Sequence, residues 1–141
     1  MPESYTITAI GEVFKSQQNV GIRIHPAYAE ALGGLSQFSH VVVLYWFHHN
    51  DTAEARRVLK VHPMGDPANP LTGVFATHSP RRPNLIAVSI CRLEKIDGLM
   101  LYLDDIDALD GSPVVDLKCY VPSPIHTSEV RMAPWIKNRR T

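Results

Sequence analysis

The sequence has little cysteine, no long apolar run and no export signal. Its two cysteines, Cys91 and Cys119, show no CxxC spacing, which argues against a disulfide framework and favours a reducing compartment. The longest apolar run, residues 41–47, is far shorter than the roughly 20 residues that cross a bilayer. The N-terminus has no basic stretch followed by an apolar one. We therefore expect a cytoplasmic protein with no membrane partner.

Common nucleotide-binding and hydrolytic motifs are also missing. No GxGxxG segment follows a predicted strand, no P-loop is present, and the predicted elements do not alternate as βαβ units. A Rossmann-type dehydrogenase or methyltransferase is therefore not expected. The chain also lacks a GxSxG elbow and a calcium loop with a glutamate at its twelfth position.

Charge is balanced overall but uneven along the chain. Fourteen Lys and Arg residues match fourteen Asp and Glu residues, so nucleic acid would have to be held by a local basic patch. Residues 94–116 hold seven of the acids and one base, whereas residues 117–141 hold five bases and one acid. The acidic segment suits a cationic small ligand, and the basic tail suits an anionic partner.

Strand-forming residues dominate the remaining pattern. Residues 41–47 are apolar on both faces, which predicts a central strand covered on both sides with its aromatic residues in the core. Asp97-Gly98 predicts a tight hairpin. The predicted strands are 5–14, 20–24, 41–47, 85–96, 99–103 and 114–120. Weaker candidates lie at 58–62 and 73–77.

Two short helices are predicted between these strands. Pro26 begins a stretch of helix formers over 26–32 that ends at Gly33, and Thr52 can cap a helical turn over 51–57. The pattern predicts an all-β-dominated fold, a small barrel with one or two short helices. We expect one domain spanning 1–141, with residues 122–141 as a tail.

The segment GVFATHSPRRPN at residues 73–84 is unusually rich in hydrogen-bond donors. Its two interior prolines fix φ, and the guanidinium groups of Arg81 and Arg82 suit phosphate or carboxylate. The alternative is a capped surface loop with solvated arginines.

The segment DDIDALDGSPV at residues 104–114 concentrates carboxylates directly after a predicted strand. Like charges so close together repel unless a cation or backbone amides offset them. The alternative is an Asx-rich turn whose carboxylates cap amides.

His48 and His49 follow the central strand, where successive side chains point to opposite faces. They could not both bind one metal from a regular strand, and the spacing with His62 and His78 matches no zinc signature. We expect no metal, and we expect one of the two histidines to line a pocket. Cys91 is expected to be a buried, inert thiol.

At these motifs the chain resembles the TsaA-like family, whose characterised bacterial members, called TrmO, methylate threonylcarbamoyl-adenosine next to the anticodon of certain tRNAs. The matching stretches are 10–16, 31–40 with the apolar strand and Phe47-His48 that follow it, 73–84 and 107–122. The run THSPRRPN followed by DGSPVVDLK is specific. Two features depart from the family pattern: the segment after the first strand is short, and His78 stands where arginine is usual.

The resemblance implies a small barrel that binds S-adenosylmethionine without a Rossmann fold and works as a homodimer. Methyl transfer to a nitrogen requires alignment above all, and Asp107 is the first candidate for a positioning or proton-accepting role in catalysis, with His78 as the second. A sulfonium and an ammonium suit carboxylates, and the cofactor carboxylate suits arginine. The implied cofactor-binding residues are His48, His49, His78, Arg81, Arg82, Val88, Asp104, Asp105, Ile106 and Asp107.

We therefore expect an S-adenosylmethionine-dependent methyltransferase that acts on threonylcarbamoyl-adenosine in tRNA. Two alternatives stay open: methyl transfer to a nitrogen of a small molecule, and a non-catalytic module that binds the cofactor or RNA. A metal-dependent hydrolase built from histidine and aspartate is a minor hypothesis.

Overall fold

The computed structural model describes residues 2–136, and strands dominate this part of the chain. In chain order they are β1 (Gly11–Lys15), β2 (Val20–Ile24), β3 (His40–Trp46), β4 (Lys60–Val61), β5 (Thr72–Gly73), β6 (Ile86–Asp97), β7 (Met100–Leu103) and β8 (Pro113–Cys119). Six of them close into an antiparallel barrel in the order β1-β2-β7-β6-β3-β8, while β4 and β5 pair separately. The predicted all-β-dominated fold is confirmed.

Short helices connect the strands. The predicted helix over 26–32 is a 3-10 helix that begins with Pro26, and the predicted turn over 51–57 contains α1 (Ala53–Arg56). The Thr52 hydroxyl caps α1 by accepting a hydrogen bond from the Ala55 amide at 3.0 Å. Within residues 2–136, no helix combines the length and the apolar character that a bilayer span requires. Further 3-10 turns lie at Leu35–Gln37, His48–Asn50, Pro63–Gly65, Val74–Ala76 and Thr127–Glu129.

Every second side chain along the strands points inward and fills the barrel interior. On β3, Val41, Val43 and Tyr45 are buried, while the residues between them are only half-buried on the outer face. The prediction that this strand is covered on both sides is therefore wrong, because a barrel strand has one inner and one outer face. At the β2–β7 contact, a Cβ on Gly21 would collide with the Leu101 carbonyl oxygen, so glycine permits the close approach of the two strands.

Three predicted strands are much shorter than expected, and the weak candidate over 58–62 is limited to β4. The strand predicted over 5–14 begins at Gly11, and the upstream side chains of Tyr5 and Ile7 are exposed. The strand predicted over 73–77 is limited to β5, because the amide and hydroxyl of Thr77 both donate to the Val74 carbonyl, at 3.1 and 2.8 Å, and close a turn. The hairpin at Asp97-Gly98 is present. Residues 137–141 of the predicted tail lie outside the described residues.

Candidate functional site

A cavity of about 510 Å³ opens beside the junction between the end of β3 and the start of β6. Four chain segments contribute to it: residues 45–50, the loop from Thr77 to Arg82, residues 86–88, and the turn before β8. Its volume falls within the roughly 300–1,000 Å³ typical of small-molecule sites. We refer to it below as the cofactor-sized cavity.

The two adjacent histidines both line this cavity. β3 ends at Trp46 because Phe47 leaves the extended conformation, and His48–Asn50 form a 3-10 turn. Successive side chains in such a turn are separated by roughly 120° rather than 180°. The ring centroids of His48 and His49 consequently lie 4.1 Å apart. The prediction that they point to opposite faces is wrong, since it assumed that the strand continued.

The loop over residues 77–84 is held by its own side chains. The Arg82 guanidinium donates to the carbonyl oxygens of Thr77 and Ser79, both at 3.1 Å. The Ser79 hydroxyl accepts from the Arg81 amide at 3.1 Å. The loop therefore brings His78 and Arg82 to the cofactor-sized cavity, whereas Arg81 is exposed and lies outside it.

The carboxylates of the turn before β8 are offset by backbone amides and one lysine. Asp104 accepts hydrogen bonds from two backbone amides at 3.0 and 2.8 Å, and Asp110 accepts from the Lys15 amide at 2.7 Å. The Lys15 ammonium donates to the Ile106 carbonyl at 2.7 Å and lies 4.0 Å from Asp105. These contacts offset the carboxylate charges and fix the shape of the turn.

The same contacts separate the predicted residues of this turn. Asp107 lines the cofactor-sized cavity. Asp104 and Asp105 are exposed outside it, and Ile106 is buried in the barrel core. From the other segments, His48, His49, His78, Arg82 and Val88 join Asp107 in the cavity.

Tyr45 ties this turn to the barrel. Its hydroxyl donates to the Asp107 carbonyl at 2.7 Å and lies 3.1 Å from the Ser89 hydroxyl on β6. Burial raises the pKa of Tyr45, although the Ser89 hydrogen bond lowers it in part. Sequence reasoning assigned Tyr45 only to the core; the available signal was its hydroxyl, because a buried tyrosine requires a hydrogen-bond partner.

The wall of the cavity combines apolar and charged groups. Trp46, Phe47 and Leu109 supply aromatic and aliphatic surface, Asp107 supplies a carboxylate and Arg82 a guanidinium. Such a wall suits a ligand that has a flat heterocycle together with cationic and anionic groups. Across residues 2–136, no three His, Cys, Asp or Glu side chains are grouped so that they could hold a metal ion.

Comparisons with known proteins agree with this architecture. The family model of the tRNA-methyltransferase O N-terminal domain matches residues 10–124. A protein of Pyrococcus horikoshii, named a probable S-adenosyl-L-methionine-binding protein, is 48% identical over 118 residues, which cover 84% of this chain and 84% of that protein. The human tRNA (adenine(37)-N6)-methyltransferase is 41% identical over 91 residues, which cover 64% of this chain and 20% of that protein.

A solved structure of TrmO from P. aeruginosa has the same fold. It superposes with a TM-score of 0.70 at 30% sequence identity, and the match covers 95% of this chain and 62% of that chain. The chain thus spans about three fifths of the length of the solved TrmO chain.

Proposed function

The chain belongs to the tRNA-methyltransferase O N-terminal domain family, and on this premise we propose that it is an S-adenosylmethionine-dependent methyltransferase that N-methylates threonylcarbamoyl-adenosine in tRNA. The proposal rests on one observation. Side chains from four separate segments meet in a single cavity of small-molecule size. These include the predicted cofactor-binding residues His48, His49, His78, Arg82, Val88 and Asp107.

The residues that line the cavity fit S-adenosylmethionine. Trp46, Phe47 and Leu109 would hold the adenine, Asp107 would face the sulfonium or the ammonium, and Arg82 would face the carboxylate. When bound, the cofactor supplies a methyl group whose bond to sulfur breaks, leaving a neutral thioether, while a bond to nitrogen forms and that nitrogen gives up a proton.

The chain's own residues supply alignment, which is the main requirement of an in-line displacement. Asp107 is the first candidate for positioning the acceptor or accepting its proton, and Tyr45 fixes the backbone of Asp107 through the 2.7 Å hydrogen bond. His78 is the second candidate, on a loop that is held internally by Arg82.

Calorimetry with S-adenosylmethionine tests the cofactor site. We expect saturable binding that Asp107→Ala weakens by about 10- to 100-fold, since interactions with a charged group are worth roughly 1.5–3 kcal/mol. His78→Ala should also weaken it. Asp105→Ala is the matched control, because it removes an exposed carboxylate of the same turn that lies outside the cavity. Absence of binding to the wild-type protein would remove the proposal.

Transfer of labelled methyl groups tests the acceptor. We expect incorporation into tRNA that carries the threonylcarbamoyl group and none into tRNA that lacks it. Incorporation only into a small nitrogen compound would instead support the small-molecule alternative.

A second candidate is a non-catalytic module. It is favoured by the names of the relatives from P. horikoshii and Methanocaldococcus jannaschii, which refer to S-adenosyl-L-methionine binding and to no reaction. This candidate predicts cofactor binding without methyl transfer to any RNA.

We further propose a cytoplasmic homodimer built from one domain per chain. Ile86, Val88 and Ile90 form an exposed apolar stripe on the outer face of β6, with 41, 59 and 57% of their surface accessible. The stripe pairs with half-buried apolar residues of β3, and Ile86 and Val88 also line the cofactor-sized cavity. A second copy that covers this stripe would border the cofactor site.

Light scattering after gel filtration tests the dimer. The wild type should run at twice the 15.8 kDa chain mass, and Ile90→Asp, which lies outside the cavity lining, should run as a monomer. Lys95→Asp on the same strand is the control and should stay dimeric. A monomeric wild type would contradict the proposal.

A further inference from the structure

A network of polar contacts lies just outside the cofactor-sized cavity, around the guanidinium group of Arg56 on α1. Arg56 does not line the cavity, and neither do its partners Asp51, Pro83 and Asn84. The side chain extends from a fixed helix, because the neighbouring Ala55 is buried. An effect of Arg56 on the shape of the cavity must therefore pass through the residues that it contacts.

On one side, the Arg56 guanidinium reaches the aromatic wall of the cavity. Its central carbon lies 5.6 Å from the centroid of the Trp46 ring, which is within the range of a cation–π contact. The Asp51 carboxylate connects the same two side chains. One oxygen accepts a hydrogen bond from the Trp46 indole N–H at 3.0 Å, and the other lies 3.6 Å from an Arg56 nitrogen. Since Trp46 lines the cavity, these contacts orient part of its wall.

On the other side, the same guanidinium reaches the loop that carries His78 and Arg82 to the cavity. The Arg56 Nε donates to the Pro83 carbonyl at 2.9 Å, and one Nη donates to the side-chain oxygen of Asn84 at 3.4 Å. The contacts made by Arg82 hold the first half of the loop together internally. The Arg56 contacts instead tie the end of the loop to α1 and to the end of β3.

A guanidinium is well suited to such a bridge. It is planar and presents five N–H donors in a fixed fork, so that one group can hold several acceptors at set angles. The Arg56 side chain is 39% exposed, and an ion pair at that exposure contributes little to stability. The main effect of the network is therefore on the relative position of the two cavity walls rather than on the stability of the fold.

We propose that Arg56 is a positioning residue of the cofactor site, which holds the Trp46 indole and the loop with His78 and Arg82 at a fixed separation. Without the bridge both walls remain attached but gain freedom of movement, and a ligand would have to order them at a cost in affinity. The effect on S-adenosylmethionine rests on the proposed function, whereas the effect on the Trp46 indole does not.

Fluorescence of Trp46 tests the positioning without any ligand. Trp135→Phe leaves Trp46 as the only tryptophan of the chain. In this background, Arg56→Ala should shift the emission to longer wavelength and increase quenching by acrylamide, because the indole loses the cation above its ring. Arg57→Ala is the matched control, since it removes the same charge from an exposed neighbour that does not line the cavity. It should leave emission and quenching unchanged.

Calorimetry with S-adenosylmethionine tests the effect on the site. Arg56→Ala should weaken binding by about 2- to 13-fold, the range that corresponds to the net contribution of one hydrogen bond. Arg56→Lys should weaken it as much, because an ammonium keeps the charge but lacks the planar fork. Arg57→Ala should bind as the wild type does. Full affinity in Arg56→Lys would show that only the charge matters, and it would overturn the positioning role.

The two measurements separate this inference from the proposed function. If the wild type does not bind S-adenosylmethionine, the proposed function fails, and increased quenching in Arg56→Ala still supports the positioning of the Trp46 wall. If the wild type binds and Arg56→Ala changes neither quenching nor affinity, the proposed function stands and the inference is overturned. Increased quenching with unchanged affinity would also overturn it, because Arg56 would then orient Trp46 without serving the cofactor site.

Discussion

Tyr45→Phe removes one hydroxyl that connects the barrel wall to the candidate catalytic turn. That hydroxyl donates to the Asp107 carbonyl at 2.7 Å and lies 3.1 Å from the Ser89 hydroxyl. Tyr45 itself is 4% exposed, and phenylalanine keeps its ring in the same space. The substitution therefore tests two partly buried polar contacts and creates no large cavity.

The expected loss can be worked from these two contacts. A typical intramolecular hydrogen bond contributes roughly 0.5–1.5 kcal/mol net, so both together contribute about 1–3 kcal/mol to the free energy of unfolding. A chain of this length has an unfolding entropy of roughly 0.3 kcal/mol per kelvin. The melting temperature should thus fall by about 3–10 °C. Because the Asp107 backbone loses its tether, the KM for S-adenosylmethionine should rise, even well below the melting temperature.

Differential scanning calorimetry and methyl-transfer kinetics measure the two effects. Tyr102→Phe is the control. The Tyr102 ring packs edge-on against the Phe14 ring, with the centroids 5.9 Å apart, and Tyr102 does not line the cofactor-sized cavity. It should keep the KM of the wild type. Unchanged stability and unchanged KM in Tyr45→Phe would refute the assigned positioning role. Lower stability with an unchanged KM would show that Tyr45 has a structural role and does not position the site.

Further predictions concern the thiols and the glycines. A thiol reagent at pH 8 should modify exposed Cys119 in the native protein, and Cys91 only after unfolding. Burial raises the pKa of Cys91 from 9.0 to about 12, and the nearby carboxylates of Asp104 and Asp105 contribute to the same increase. The unfolded thiol therefore ionises first, and the free energy of unfolding measured in urea should fall as pH rises from 9 towards 12, an effect that Cys91→Val should remove. Gly21→Ala should destabilise the fold severely, because its Cβ would collide with the Leu101 carbonyl. Gly98→Ala, at a φ of 61° in open space, should cost only about 1–2 kcal/mol in the same urea titration.

The sequence predicted the strands better than the site. Alternation and the Asp97-Gly98 turn identified the β6–β7 hairpin, because both signals are local. The cavity depends on chain segments that come together only through barrel closure, and no local signal reports that closure. The histidine pair is an example. The strand was predicted to end at Phe47 but ends at Trp46, and the 3-10 turn that follows brings His48 and His49 to the same cavity.

His78 lines the cofactor-sized cavity, and the chemistry of its side chain decides what it contributes to the proposed methyl transfer. The loop that carries it is fixed by the Arg82 contacts to Thr77 and Ser79, so a substitution of His78 should leave the loop in place. Arginine at this position would keep a polar, cationic side chain but could not accept a proton, because a guanidinium stays protonated in proteins. If His78 only positions the ligands, His78→Arg should retain methyl transfer, whereas His78→Ala should raise KM. If His78 accepts the acceptor proton, His78→Arg should bind the cofactor and the RNA yet lose turnover. The split between kcat and KM in these two variants therefore separates positioning from proton acceptance.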